Sequence, residues 1–456
     1  MNKTCDYPDR IRQYALEPFF GRILSPFERF LRRTTAGGII LIGTTVVTLI
    51  IANSRWGEGF LHLWEQPVRA GIGSFYLQLT LHQSVNDGLM TLFFLLVGLE
   101  LKREIIAGEL SSLKDAALPV VAALGGMLVP ALIYRLFNPH PPEAGGWGIP
   151  MATDIAFSIG ILVLLAWRIP RGLVVFLTAL AIADDLGAVL IIALFYSHGL
   201  SVTALWPAVV VLAGLFLLNR GGIRHHLPYA VLGVLLWLSL LGSGIHPTIA
   251  GVLLAMTIPA RPSFTPRQLG DRVGQLQEAL SSDSMNSVSC EHPLNCPVML
   301  TVAENLAKAA KAVQPPQQRI EHALSPWVSF VVIPIFALSN AGIDFGTVAS
   351  GNVASHPVTL GIISGLVIGK FAGITLFSWL AVKFGLGRLP AGVSWSHLMG
   401  VSWLGGIGFT MSFFIESLAF DKQFLVEQAK FGILAGSLIS AIIGTTWLLF
   451  TRRPRA

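Results

Sequence analysis

Apolar residues run along this chain in long, nearly unbroken blocks. Stretches such as Leu89–Leu99, Leu173–Ala183 and Leu186–Phe195 are too apolar and too frequent for the core of a water-soluble protein. A helix needs about 20 such residues to cross a bilayer. On that measure the pattern predicts twelve spans: 34–52, 84–106, 116–137, 147–165, 172–197, 203–219, 227–240, 244–258, 324–343, 358–382, 396–419 and 428–450. The seventh and eighth are short. The expected class is therefore an all-α polytopic membrane protein. It divides into a tail at 1–33, helices over 34–258, a long polar loop at 259–322, helices over 323–451 and a short tail at 452–456. Residues 64–81 alternate loosely around Gly71-Ile72-Gly73 and read as a β-hairpin. The 259–322 loop is rich in Ser, Gln and Pro around 281–318 and is expected to be partly flexible.

Composition sharpens this picture. The chain is 53% hydrophobic and 12% charged, against about 25% charged for a soluble protein. The first apolar run begins only near Ala36, after a polar, arginine-bearing stretch, so no cleaved signal is expected. Three cysteines in this length make no disulfide framework, and the spacing of Cys290 and Cys296 is not a usual zinc spacing; both read as free thiols. An even number of spans puts both termini on one side. Of the 31 Lys and Arg, 25 fall on that side. The positive-inside bias then makes it cytoplasmic and the hairpin periplasmic. The +6 net charge is dispersed over seven segments, which speaks against a nucleic-acid-binding face.

Four charges fall where a bilayer should exclude them. Asp184 and Asp185 lie in 171–198, each roughly 20 Å from the nearer end. Lys370 is similarly central in 356–383, and Asp154 lies inside the fourth span. At about 2.5–3.5 kcal/mol each, the four cost roughly 10–14 kcal/mol on an insertion scale. A purely structural salt bridge between Lys370 and one aspartate is the bland alternative. Three acids facing one base argue for a transport role instead. Neighbouring residues on a helix point about 100° apart, so Asp184 and Asp185 face different surroundings. That geometry also speaks against an intramembrane aspartyl protease.

Two spans look interrupted. The fourth holds Gly148 and Pro150 beside Thr153 and Asp154; the eleventh holds Gly405-Gly406-Ile407-Gly408. Unwound backbone in a bilayer is tolerated where it is buried in protein or lines a cavity. Glycines at a tight helix contact are the competing explanation. Both spans are the second members of three-helix groups, spans three to five and ten to twelve. An odd number of helices inverts the second group, which predicts inverted repeats with the two interrupted helices crossing at the midplane.

With these residues in place, the chain resembles the NhaA-type Na⁺/H⁺ antiporters over roughly 34–258 and 320–450. The segments that carry the likeness are Phe93-Phe-Leu-Leu-Val-Gly-Leu-Glu-Leu-Lys-Arg-Glu104, Ala152-Thr-Asp-Ile-Ala-Phe157, Leu180-Ala-Ile-Ala-Asp-Asp-Leu-Gly187 and Gly406-Ile-Gly-Phe-Thr-Met-Ser412. The resemblance implies an electrogenic, pH-regulated exchange of Na⁺ or Li⁺ for H⁺ in the bacterial inner membrane. By the same resemblance, Asp185 is the principal ligand of the transported Na⁺ and the proton carrier. Asp184 is its partner acid, trading contacts with the charge-compensating Lys370, and Thr153 and Asp154 lie beside the site. Glu100, Arg103, Glu104, Arg319, Glu321 and His246 match residues of pH response. Packing explains His246 equally well, and a solvated helix end would account for Glu100–Glu104. A homodimer through the hairpin is also implied. The 259–322 loop is longer than the family's usual connection, and Gln318 stands where a basic residue is expected.

Other classes find little support. Gly365-Leu-Val-Ile-Gly-Lys370-Phe is superficially P-loop-like but has one residue too few between its glycines and Phe371 in place of Ser or Thr, so ATP is not expected. No His-Glu-x-x-His or Gly-x-Ser-x-Gly occurs, so neither an enzyme nor a cofactor is expected. A Na⁺-coupled solute symporter of similar fold is the alternative. It needs a wider polar cavity than three acids and one lysine suggest.

Overall fold

A computed structural model describes residues 35–72, 75–197, 201–262, 264–281, 297–343, 346 and 353–451. Cys290, Cys296 and the tails 1–33 and 452–456 lie outside the described residues. Helix α1 (Thr35–Ala52) bends by 111° into α2 (Gly57–Glu65). Strands β1 (Pro67–Ile72) and β2 (Phe75–Thr80) pair antiparallel, with Val68 opposite Leu79. The hairpin is thus shorter than the 64–81 expected, because Trp64 and Glu65 finish α2. A π-helical turn over Ser84–Leu89 leads into α3 (Met90–Ala107).

The first group of three follows: α4 (Leu113–Phe137), then a 3-10 segment Glu143–Met151 leading to α5 (Ile155–Leu164), then α6 (Arg171–Phe195). Next come α7 (Val202–Arg220), α8 (His226–Leu241) and α9 (Ile249–Thr257). The long polar loop contains helix, α10 (Pro266–Ser281) and α11 (Pro297–Val313). Leu269, Val273 and Leu276, and then Val302, Ala309 and Val313, recur at helical spacings, so each helix has an apolar stripe, and the two pack on each other. Helix α12 (Pro316–Trp327) runs through a π turn into α13 (Ile333–Asn340), so this span starts well before residue 323. The second group comprises α14 (Pro357–Ser364) joined by a π turn to α15 (Lys370–Lys383), the pair α16 (Trp395–Leu404) and α17 (Phe409–Ala419), bent by 46°, and α18 (Gln423–Phe450).

By length and apolarity, six helices of the described residues can cross a membrane, or eight if each bent pair counts as one span. The remaining expected spans are present as helices. They are short, like α7 to α9, or carry charges at one end, like α3 with Glu100, Lys102, Arg103 and Glu104. Their outward faces are apolar. On α4, Val120, Leu124, Leu128, Leu132 and Leu136 form an exposed stripe, and Leu186, Leu190 and Leu194 do the same on α6. Apolar surface on this scale belongs in lipid. The inward face of α6 buries Leu177, Leu180, Ala181, Asp184 and Ala188.

Close approach of α4 to α15 sets the position of Lys370. A Cβ on Gly125 would strike the carbonyl of Gly373, and a Cβ on Gly373 would strike that of Gly125. Only glycine at both positions lets the two backbones touch, which aims Lys370 inward past Gly126.

Candidate ion-binding site

The two interrupted spans cross at their breaks, and each supplies the other's missing hydrogen bonds. Helix α16 ends at Leu404, where its last carbonyls pass out of the regular helical ladder. The Ser158 hydroxyl donates to the Leu404 carbonyl at 2.9 Å and the Thr153 hydroxyl to that of Gly405 at 2.8 Å. In the other direction, the Ser412 hydroxyl donates to the Ile149 carbonyl at 2.7 Å. The Asp154 amide donates to the Ile407 carbonyl at 2.6 Å. A Cβ at Gly406 would strike the Leu366 carbonyl, so the crossing requires glycine there.

Asp154 is the charge that the crossing itself consumes. Its Oδ1 accepts from the Phe157 amide at 3.0 Å, capping α5. Its Oδ2 accepts from the Thr410 amide at 3.0 Å and the Thr410 hydroxyl at 2.6 Å, at the start of α17. One buried carboxylate thus serves two helix N-termini, whose partial positive charges favour an anion.

Asp184 and Asp185, about midway along α6, differ sharply from Asp154. The Lys370 ammonium donates to Asp184 Oδ2 at 2.6 Å and to the Thr153 hydroxyl at 2.9 Å. Lys370 is fully buried and Asp184 is 1% exposed. Asp184 Oδ1 has no hydrogen-bond partner, and neither does either oxygen of Asp185, although Asp185 is equally buried. Burying a bare carboxylate is costly enough that it must acquire a proton or a cation. Among the described residues, no three His, Cys, Asp or Glu side chains converge to hold a metal ion.

The expected pH-response residues do not form one cluster. At the far end of α3, Arg103 pairs with Glu321 and, at 3.4 Å, with Glu104, close to Glu100. Arg319 instead faces a basic cleft with Arg224, Lys308 and Lys311. His246 lies at the hairpin end, its Nε2 at 3.4 Å from Asp87 and its Nδ1 at 2.8 Å from the Thr248 hydroxyl. Asp87 and Glu100 are thirteen positions apart in one helical run, or roughly 20 Å. The structure therefore brings Thr153, Asp184 and Lys370 together and gives Asp154 to the helix ends. It leaves His246 and Arg319 apart from Glu321.

This arrangement coincides with a match to known proteins. Residues 28–448 match the family described as Na⁺/H⁺ antiporter 1. The chain belongs to that family. It is 63% identical over 445 residues to the Na(+)/H(+) antiporter NhaA of Syntrophobacter fumaroxidans, covering 98% of this chain and 94% of the relative. Identity is 55% to the Na(+)/H(+) antiporter NhaA of Acidithiobacillus ferrooxidans, covering 95% of this chain and 99% of the relative. It is 48% to the Na(+)/H(+) antiporter NhaA 2 of Syntrophotalea carbinolica.

Within this antiporter fold, three charged groups escaped the sequence reading. Lys102 reaches the C-terminal carbonyls of α9, donating to Met256 O at 2.8 Å, where a cation offsets the negative helix end. Glu416 sits inside α17 at 1% exposure, and Lys430 lies two turns inside α18. Both fall within the predicted spans 396–419 and 428–450, so the rule that drew attention to Asp184 would have found them.

Proposed function

We propose that this chain expels Na⁺ or Li⁺ in electrogenic exchange for H⁺, with Asp184 and Asp185 as the carboxylates for which cation and proton compete. The observation that carries the reading is Asp185: two buried, unpartnered oxygens beside the Asp184–Lys370 pair. A Na⁺ ion is hard and suits carboxylate and hydroxyl oxygens. When it binds, Asp185 loses one proton and the Lys370 ammonium, displaced from Asp184 by the cation, loses a second, so two protons leave for each Na⁺ and the exchange moves net charge. When protons return, Asp184 re-forms its contact with Lys370. Thr153 holds Lys370 on the broken segment, so the change is felt at the helix crossing. Rocking of one bundle against the other then presents the site to alternate sides, a mechanism of which this family is itself a type case.

The basic residues support an orientation with both termini cytoplasmic and the hairpin periplasmic, and the family resemblance implies that the membrane is the bacterial inner one. On that orientation Glu100, Arg103, Glu104 and Glu321 form a cytoplasmic charge cluster that tunes exchange to pH. A two-stranded hairpin is marginal alone and has unpaired edges, which supports its use as a dimer contact. The deciding experiment is a Na⁺ and Li⁺ dose series on proton movement in everted vesicles without organic solute. Saturable, cation-dependent proton movement that depends on membrane potential is the expected result. Movement only when a solute is added would overturn the reading in favour of symport.

A further inference from the structure

On the hairpin side, a cavity of about 540 Å³ separates α17 and α18 from α2, the turns over 81–89 that lead into α3, and the end of α13. Five carboxylates line it: Glu65, Asp87, Glu416, Asp421 and Glu427. Among the lining residues the lysine facing them is Lys430, while Glu65 has His62 at 3.0 Å and Asp87 has His246 at 3.4 Å, leaving Glu416, Asp421 and Glu427 as the excess. His82 also lines the wall, but its Nδ1 is engaged by Ser339 at 2.9 Å and its Nε2 by Asn86 at 3.1 Å. Such an excess of negative charge at a low-dielectric wall concentrates cations.

Glu416 separates this cavity from an ordinary acidic surface. It is 1% exposed, lines the cavity, and its Oε1 has no hydrogen-bond partner. Lys430 therefore does not neutralise that oxygen by direct contact. A glutamate placed this way is expensive unless something cationic visits it. It stands six positions beyond Thr410 on α17, roughly 9 Å along a rigid helix from the residue that clasps Asp154. The cavity walls also belong to different bundles: α17 and α18 to the crossing repeats, and α2, the turns leading into α3, and α13 to the flanking helices. Rocking would open and close it.

We propose that Glu416 forms a second cation site, which takes a hydrated monovalent cation in competition with the Lys430 ammonium and stages it between the hairpin side and Asp185. This inference rests on the reading of Asp184 and Asp185 as the transport site, so its test begins with that site removed. Purified protein carrying Asp184→Asn and Asp185→Asn is titrated with NaCl and the ²³Na resonance followed. Saturable line broadening, displaced by Li⁺ but not by choline, is expected to remain. Adding Glu416→Gln should abolish it, while adding Lys430→Gln should strengthen it by about threefold to fivefold, the scale of a partly exposed charge contact. No broadening in the starting protein, or equal broadening with and without Glu416, overturns the site. Lys430→Gln also decides the question if Glu416→Gln does not fold: a mere structural pair predicts that it weakens binding or leaves it unchanged. In the otherwise native chain, Glu416→Gln should raise the KM for Na⁺ supplied from the hairpin side and leave the opposite side unaffected; equal effects on both sides overturn the staging role. Exchange surviving in Asp185→Asn would instead sink the transport reading and leave the Glu416 binding result standing.

Discussion

At the helix crossing, Lys370 and Asp184 meet at 2.6 Å with side chains 0% and 1% exposed. At the far end of α3, Arg103 pairs with Glu321 and Glu104, and the Arg103 side chain is 46% exposed. The two regions use the same chemistry in different solvents. Water reaches Arg103, which can lose its partner cheaply, although the Glu321 side chain beside it is only 6% exposed. The first pair has no water to fall back on, and removing one partner leaves a buried charge. A transported ion can act as a switch only in the first setting, where every charge must be matched. The second setting suits graded adjustment.

The sharpest way to break this comparison is Asp185→Asn. Asn keeps the size and one carbonyl oxygen but supplies neither a proton site nor negative charge. Na⁺-dependent proton movement in everted vesicles should disappear while the protein still inserts, because a midspan charge costing about 2.5–3.5 kcal/mol is removed. Normal exchange by Asp184→Asn with Asp185→Asn would sink the mechanism. Next in size is Lys370→Ala, which should destabilise the purified protein by about 3–5 kcal/mol, the cost of breaking a buried pair. Thermal unfolding in detergent reads this out. Pairing Lys370→Met with Asp184→Asn should recover most of the loss; no recovery would mean that Lys370 stabilises the fold through packing, not charge.

Asp154→Asn should fall between the two regions. The site loses part of a cap serving two helix ends, worth about 0.5–2 kcal/mol per cap. The melting temperature should drop while exchange persists at reduced rate. Complete loss of exchange with unchanged stability would instead make Asp154 a cation ligand like Asp185. The smallest effect is expected from Glu321→Gln. Glu321 is buried, but Gln leaves no charge behind and the half-exposed Arg103 can turn to water, so stability should change by about 1 kcal/mol or less. The pH profile of exchange should shift with its maximum largely retained. Loss of exchange at every pH would place Glu321 in the transport machinery.

The spans were legible because membrane insertion is a local property: a run of apolar residues reports its own solvent. The same logic exposed Asp184, Asp185, Lys370 and Asp154 as charges out of place. The breaks at Gly148–Asp154 and Gly405–Gly408 were legible from glycine and proline alone. The helices within 259–322 were less so, because polar composition masked the helical spacing of Leu269, Val273 and Leu276.

Sequence alone therefore determined that this is a polytopic helical membrane protein with charges in mid-span and two interrupted helices. It could not decide which charge meets which. Helical periodicity fixes a side chain's direction about its own axis, not the rotation of that helix against its neighbours. Only the packing of α4 on α15 through Gly125 and Gly373 aims Lys370 at Asp184 and leaves Asp185 without a partner. Likewise, only the crossing of the two breaks turns Asp154 into a cap for both α5 and α17. Those assignments depend on contacts of a few ångströms between segments more than 180 residues apart, and no local pattern encodes such distances.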